Sequence, residues 1–197
     1  MSTVKDLTHL GKLIARHHGW AAAKAAKSYE MSESDRAVLT KCGVHMLKVF
    51  PPVPGSSALM SAALAVSLEG RLNAPIHLVA GTLAVEGTVV FGDDTQFDAA
   101  KASAAPTPDW HGHVWVMIGA YVVDISIFRT AYSRQGPAIL SRHVDLTFGP
   151  NKGLYVDVWK RTPRLGFSYE PHYVLSGDEV TELMGGAYQA IKQAQTH

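Results

Sequence analysis

Cysteine is almost absent from this chain, neither sign of charge is in excess, and no long apolar run occurs. A single cysteine, Cys42, among 197 residues excludes an internal disulfide framework and any zinc module built on several thiols. With 18 Lys+Arg against 17 Asp+Glu there is no field to gather nucleic acid, so no nucleic-acid partner is expected. No segment approaches the roughly 18 uncharged apolar residues of a membrane span. The opening stretch MSTVKDLTHLGKLIARHHGW has no basic region followed by an unbroken apolar one. Neither a membrane partner nor a secretory leader is expected, and the protein is expected in the cytoplasm. Internal repeats and heptads are also missing. What is present, 47% hydrophobic and 18% charged residues, is the composition of a globular protein, at a length that suits one domain over 1–197.

Apolar residues at helical spacing predict one or two helices over 4–27, with Gly19 as a break. Ser32 opens a second helix with Asp35 in a capping-box position, and Val38, Leu39, Cys42 and Met46 share its apolar face. The segment FPPVPG, 50–55, cannot be helical because of its prolines. Directly after it SSALMSAALAVSLE, 56–69, is apolar nearly all round and predicts an enclosed helix. Short β-branched runs follow at 76–79, 88–91, 114–118, 121–125, 154–159 and 167–174, with Gly119-Ala120 as a hairpin turn. The stretch 92–109 is acidic, then rich in Ala and Pro, and long for a connection; it is expected to be a lid or slack. A last helix begins at Ser176, with Glu179 completing a capping box and Val180, Leu183, Met184, Ala187 and Ile191 buried. Helices, then a mostly antiparallel sheet, then a helix make an α+β layout.

The chemistry concentrates at two places. Ser56 and Ser57 stand at the start of the enclosed helix, where unpaired N–H groups and the positive dipole end favour an anion. His113 opens one strand, HVWV, and Asp124 lies on the next across a short turn, so the two can face each other. A histidine held by a carboxylate and aimed at a nucleophile on a helix end is an arrangement for acyl transfer or amide hydrolysis.

The run Gly55-Ser56-Ser57, an apolar helix, and Ala74-Pro75-Ile76-His77-Leu78-Val79-Ala80-Gly81 resembles the transglutaminase-like branch of the papain-like cysteine hydrolases and transferases. That family carries Gly-x-Cys, a helix, and a strand reading roughly Ile-Pro-Ala-Arg-hydrophobic-Val-x-Gly. It continues with His-Ala-Trp-Val and then Asp, where His113-Val114-Trp115-Val116 and Asp124 stand here. The likeness covers roughly 55–126, leaving an N-terminal helical part at 1–50 and additional strands and a helix at 127–197. It implies a papain-like fold acting on a peptide, protein or small amide substrate without a cofactor, with the residue at 57 as nucleophile, His113 as base and Asp124 orienting the imidazole. The backbone N–H of Ser57 would help hold an oxyanion, while 50–54 offers no side chain as a second donor. The departure is Ser57 itself, since the family's nucleophile is cysteine. An engineered Cys→Ser replacement, a natural serine variant, and a non-catalytic binding protein that keeps the fold all read the same way. A hydroxyl cannot be ionised by a helix dipole worth about 1 kcal/mol, so activity with serine at 57 is expected to be weak or nil.

Each residue also has a plainer reading. Ser57 can be the helix N-cap, His113 a strand histidine with a backbone partner, Asp124 a turn residue, and Cys42 a buried structural thiol. Trp110, His111, Trp115 and Arg129 are the candidates for substrate contact; Arg129 can instead make a structural pair, with Asp124 for example. His111 and His113, two apart on a strand, share a face if the strand reaches them, and would need Asp109 or Asp124 to complete a metal site. No metal is expected.

Overall fold

The computed structural model describes residues 3–51, 56–92, 96–104 and 110–196. It is an α+β structure in which every strand pairing is antiparallel. The elements run α1 (Thr3–Ser28), α2 (Glu33–Val49), α3 (Ser57–Glu69), β1 (Ile76–Val85), β2 (Thr88–Phe91), α4 (Ala99–Ser103), β3 (His113–Ile118), β4 (Tyr121–Asp124), α5 (Ile127–Ala131), α6 (Ala138–Thr147), β5 (Tyr155–Val158), a 3-10 helix (Trp159–Leu165), β6 (Phe167–Val174) and α7 (Gly177–Gln195).

Local chemistry sets the helix ends. Gly19, at φ 81 and ψ 164, interrupts α1 in a conformation that other residues rarely adopt. Ser32 with Asp35, and Ser176 with Glu179, form reciprocal capping boxes at the starts of α2 and α7. The long strand β1 is the spine of the sheet. Its residues 79–81 pair with both β3 and β6, and 83–85 with both β2 and β6. Thus β6 occupies one edge of β1 while β3 and β2 share the other, with β4 and β5 beyond β3.

Strand alternation sends neighbouring residues to opposite faces, and helices cover both. Val114, Val116, Ile118 and Val123 pack with α2, α3, α4 and α7, including Leu39, Cys42, Leu64, Ala102 and Leu183. Trp115, Met117 and Val122 pack with α1, α5 and α6, including Ile14, Ile127 and Leu140. We call these the near face, under α3, and the far face. Nine of the residues of α3 are buried, as its all-round apolar sequence predicts. The only hydroxyl of that buried stretch, Ser61, donates to the Val114 carbonyl at 2.9 Å, which ties α3 to the start of β3.

The structure differs from the sequence reading in four places. First, β1 continues past 79, because at Gly81 the backbone of β6 and the Trp115 ring come so close that a Cβ would overlap the Glu170 carbonyl oxygen. Second, the described part of 92–109 is not slack: Phe97 and Ala102 are buried in the near-face core and α4 is capped by Asp98. Third, α5 and the 3-10 helix are too short to show a period. Fourth, α6 buries His143 beside Leu140 and Val144, and a polar residue on the inner face hides the helical pattern. His143 is satisfied there by the Leu165 carbonyl and by Glu86. Pro52 to Gly55 and Asp109 lie outside the described residues. No helix among the described residues is long and apolar enough to cross a membrane.

Candidate functional site

His113 and Asp124 form a hydrogen-bonded pair. Their strands are neighbours, with Val116 opposite Val123, and both side chains point to the far face, in phase with Trp115 and Val122. His113 Nε2 lies 2.6 Å from Asp124 Oδ2. Asp124 is fully buried, and burial alone would raise its pKa. The charge and hydrogen bond of His113, with the Ser126 donors, outweigh this and hold the carboxyl below its usual range. An ionised carboxylate only accepts, so Nε2–H donates and Nδ1 is the ring's other nitrogen.

Every position on that carboxylate is taken. Oδ2 also accepts from the Tyr169 hydroxyl at 3.0 Å. Oδ1 accepts from the Ser126 N–H and hydroxyl and from the Ile127 N–H, an Asx turn that leads the chain from β4 into α5. Burial, and then the charge of Asp124, push the Tyr169 hydroxyl well above its ordinary pKa, so it remains a donor. The sequence assigns neither Tyr169 nor Ser126 a part in this pair; the polar, aromatic end of the strand FSYEPHYV, equally readable as a solvent-facing strand, is the available signal for Tyr169.

The imidazole is enclosed as well. Phe91 stacks on it at 5.4 Å between ring centres, Trp115 at 6.1 Å, and Tyr169 lies at 6.2 Å. His113 is 2% exposed. Trp115 is buried behind it and contacts His113 and Tyr169.

The start of α3 belongs to the near face. Ser57 is the first helical residue and stands one turn before Ser61, the residue that bonds to β3. The N-cap is Ser56, not Ser57; its side chain does not cap the helix and instead approaches the Met60 sulfur at 3.5 Å. The backbone N–H of Ser57 is among the first-turn donors that a helix leaves without an internal partner. No hydrogen bond joins Ser57 to His113.

A cleft of about 420 Å³ opens at this end of α3, lined by Ser56, Met60, Ser126, Arg129, Thr130 and Lys152 among others. Ser126 therefore stands between the cleft and the Asp124 carboxylate. Arg129 does not pair with Asp124. Its guanidinium donates to the Leu47, Phe50 and Pro51 carbonyls at 2.6, 2.9 and 3.2 Å, although burial works against its charge. It fixes the exit of α2 and the approach to α3. Trp110 is half-buried against the near-face core with its ring edge-on to Phe97 at 5.1 Å, away from the cleft lining. His111 precedes β3 and is exposed, while His113 is buried, so the two do not share a face and do not form a chelating pair. Among the described residues no three His, Cys, Asp or Glu side chains gather as metal ligands. Cys42 is buried in the near-face core.

No family model, no curated protein and no solved structure matches this chain.

Proposed function

We propose that this chain keeps the transglutaminase-like core of the papain-like cysteine hydrolases and transferases as a binding fold, with its acyl chemistry lost. The ligand class is a peptide, a protein segment or a small amide, held in the cleft at the start of α3. The observation that carries this reading is that Ser57 makes no hydrogen bond to His113. His113 is enclosed on the far face by Phe91, Trp115 and Tyr169, whereas the serine at the nucleophile position belongs to a helix on the near face. A hydroxyl needs a base within hydrogen-bond reach to attack a carbonyl, and Ser57 has no hydrogen bond to His113.

A second reading, an acyl-transferring or amide-hydrolysing enzyme using Ser57, His113 and Asp124, is favoured by one observation. The 2.6 Å bond from Nε2 to Asp124 leaves Nδ1 as the proton acceptor a general base requires. Treatment with a fluorophosphonate separates the two. The binding reading expects no label on Ser57 and, in a titration with short peptide amides followed by NMR, shifts at Ser56, Thr130 and Lys152. A label on Ser57 that disappears in His113→Asn would establish the enzyme instead.

A further inference from the structure

A second cavity, of about 460 Å³, lies at the opposite end of α3 and is lined by Val38, Lys41, Cys42, His45, Ser67 and Arg71. The helix is 13 residues long, about 20 Å, so this cavity is separate from the cleft beside Ser56. We propose that it binds a phosphate group, carried by a small phosphomonoester or as free phosphate.

Charge favours an anion here. In a chain with a formal net charge of +1, the titratable lining of this cavity consists of Lys41, His45, Arg71 and Cys42, with no carboxylate. The ion pairs of the described residues join His113 to Asp124, His143 to Glu86 and Arg161 to Asp157, so no carboxylate neutralises Lys41 or Arg71. Basic side chains gathered around a concave surface without an acidic counterpart concentrate positive potential where an anion can enter.

The donors are also oriented. Arg71 Nη1 donates to the Ser67 carbonyl at 2.6 Å and to the Ser67 hydroxyl at 3.0 Å. These bonds hold one arm of the guanidinium against the C-terminal end of α3, leaving the Nε and Nη2 donors of a planar fork that suits two oxygens of a phosphate. Lys41 and His45 stand one turn apart on α2 and occupy one side of that helix. Half-buried Val38 and buried Cys42 give the cavity an apolar wall, which fits the body of an ester better than it fits water.

The test uses the whole chain. Calorimetric titration with inorganic phosphate and with phenyl phosphate is expected to show saturable binding, with amide shifts in NMR confined to 38–45 and 67–71. Arg71→Gln is expected to weaken binding at least tenfold, and Arg71→Lys should also weaken it because the fork is lost. Lys41→Gln weakens it by a smaller factor, and Lys24→Gln, an exposed charge on α1, leaves it unchanged. Tighter binding of phenyl phosphate identifies a monoester as the ligand, and equal affinity identifies free phosphate. Absence of saturation with both probes, equal binding by Arg71→Gln, or shifts scattered over unrelated lysines and arginines would each overturn the proposal. Arg71 is exposed, so its replacement does not threaten the fold.

Discussion

The two faces of the sheet use their polar residues in opposite ways. Beneath α3 the near face is apolar, and its buried hydroxyl, Ser61, is spent on a single strand carbonyl. The far face carries His113, Asp124, Tyr169 and Tyr155 within an aromatic layer. Residues adjacent in sequence, His113 and Val114, therefore belong to different environments. A motif such as His-x-Trp followed by Asp specifies a pair on one face, but it does not specify that a helix residue 56 positions earlier joins it. Strand alternation decides that point.

The most damaging substitution should be one that breaks the far face. Asp124→Ala removes the acceptor of His113, Tyr169, Ser126 and Ile127 at once, and stranding buried polar partners in this way costs about 4 kcal/mol. Urea unfolding is the measurement. Ser61→Ala, the corresponding loss on the near face, should cost only about 1 kcal/mol. A similar cost for both would contradict the contrast between the faces.

Acid should act through the far face too. His77 lies on β1 in phase with Val79, 4.9 Å from His18 between ring centres, and neither of its ring nitrogens has a partner among the described residues. Burial first, and then the nearby His18, lower its pKa from 6.5 to about 4. His18 itself is held by the Leu175 carbonyl at 2.9 Å. The unfolded chain therefore binds more protons than the folded one between these values. The stabilisation from keeping His77 neutral is complete above pH 6.5, is lost as pH falls toward 4 and then levels off, for a total of about 3 kcal/mol. Denaturation from pH 8 to 4 should show this slope in the natural protein and a shallower one in His77→Phe.

Arg129 joins the two layers, since it leaves α5 on the far side and binds the exit of α2 on the near side. Arg129→Ala should cost about 2 kcal/mol and weaken any ligand bound in the cleft beside Ser56. Arg129→Lys should recover part of the stability only, because one ammonium cannot reproduce the fork. The smallest effect is expected at Ser57. Replacing it by Cys should change stability by less than about 0.5 kcal/mol, since its hydroxyl does not cap the helix.

Much of the fold was legible because local rules agreed with the tertiary structure. Both capping boxes, the Gly19 break, the enclosed α3 and most strand positions follow from spacing and caps that act within a few residues. Elements whose cause is remote were not legible. The extension of β1 depends on the room at Gly81 under Trp115, and α6 depends on partners for His143 that lie in the β1–β2 turn and at the end of the 3-10 helix. For the candidate site, the bond between His113 and Asp124 could be anticipated from one hairpin. The role of Tyr169 could not, because β6 is brought to Asp124 by its pairing with β1, 45 residues away from the carboxylate it serves. Arg129 likewise finds carbonyls about 80 residues earlier, a contact that no local pattern encodes.

Ser57 at the start of α3 is not hydrogen-bonded to His113, although Ser126 lines the cleft there and donates to Asp124. The most direct measurement is the alkylation rate of a thiol introduced by Ser57→Cys in a Cys42→Ser background, followed from pH 4 to 9 with and without His113→Asn. The absence of that bond predicts a single titration that is the same in both proteins, set by the helix start alone. A thiol reactive well below the free value of about 8.5 that loses this reactivity with His113→Asn would contradict the account and show a preassembled nucleophile and base.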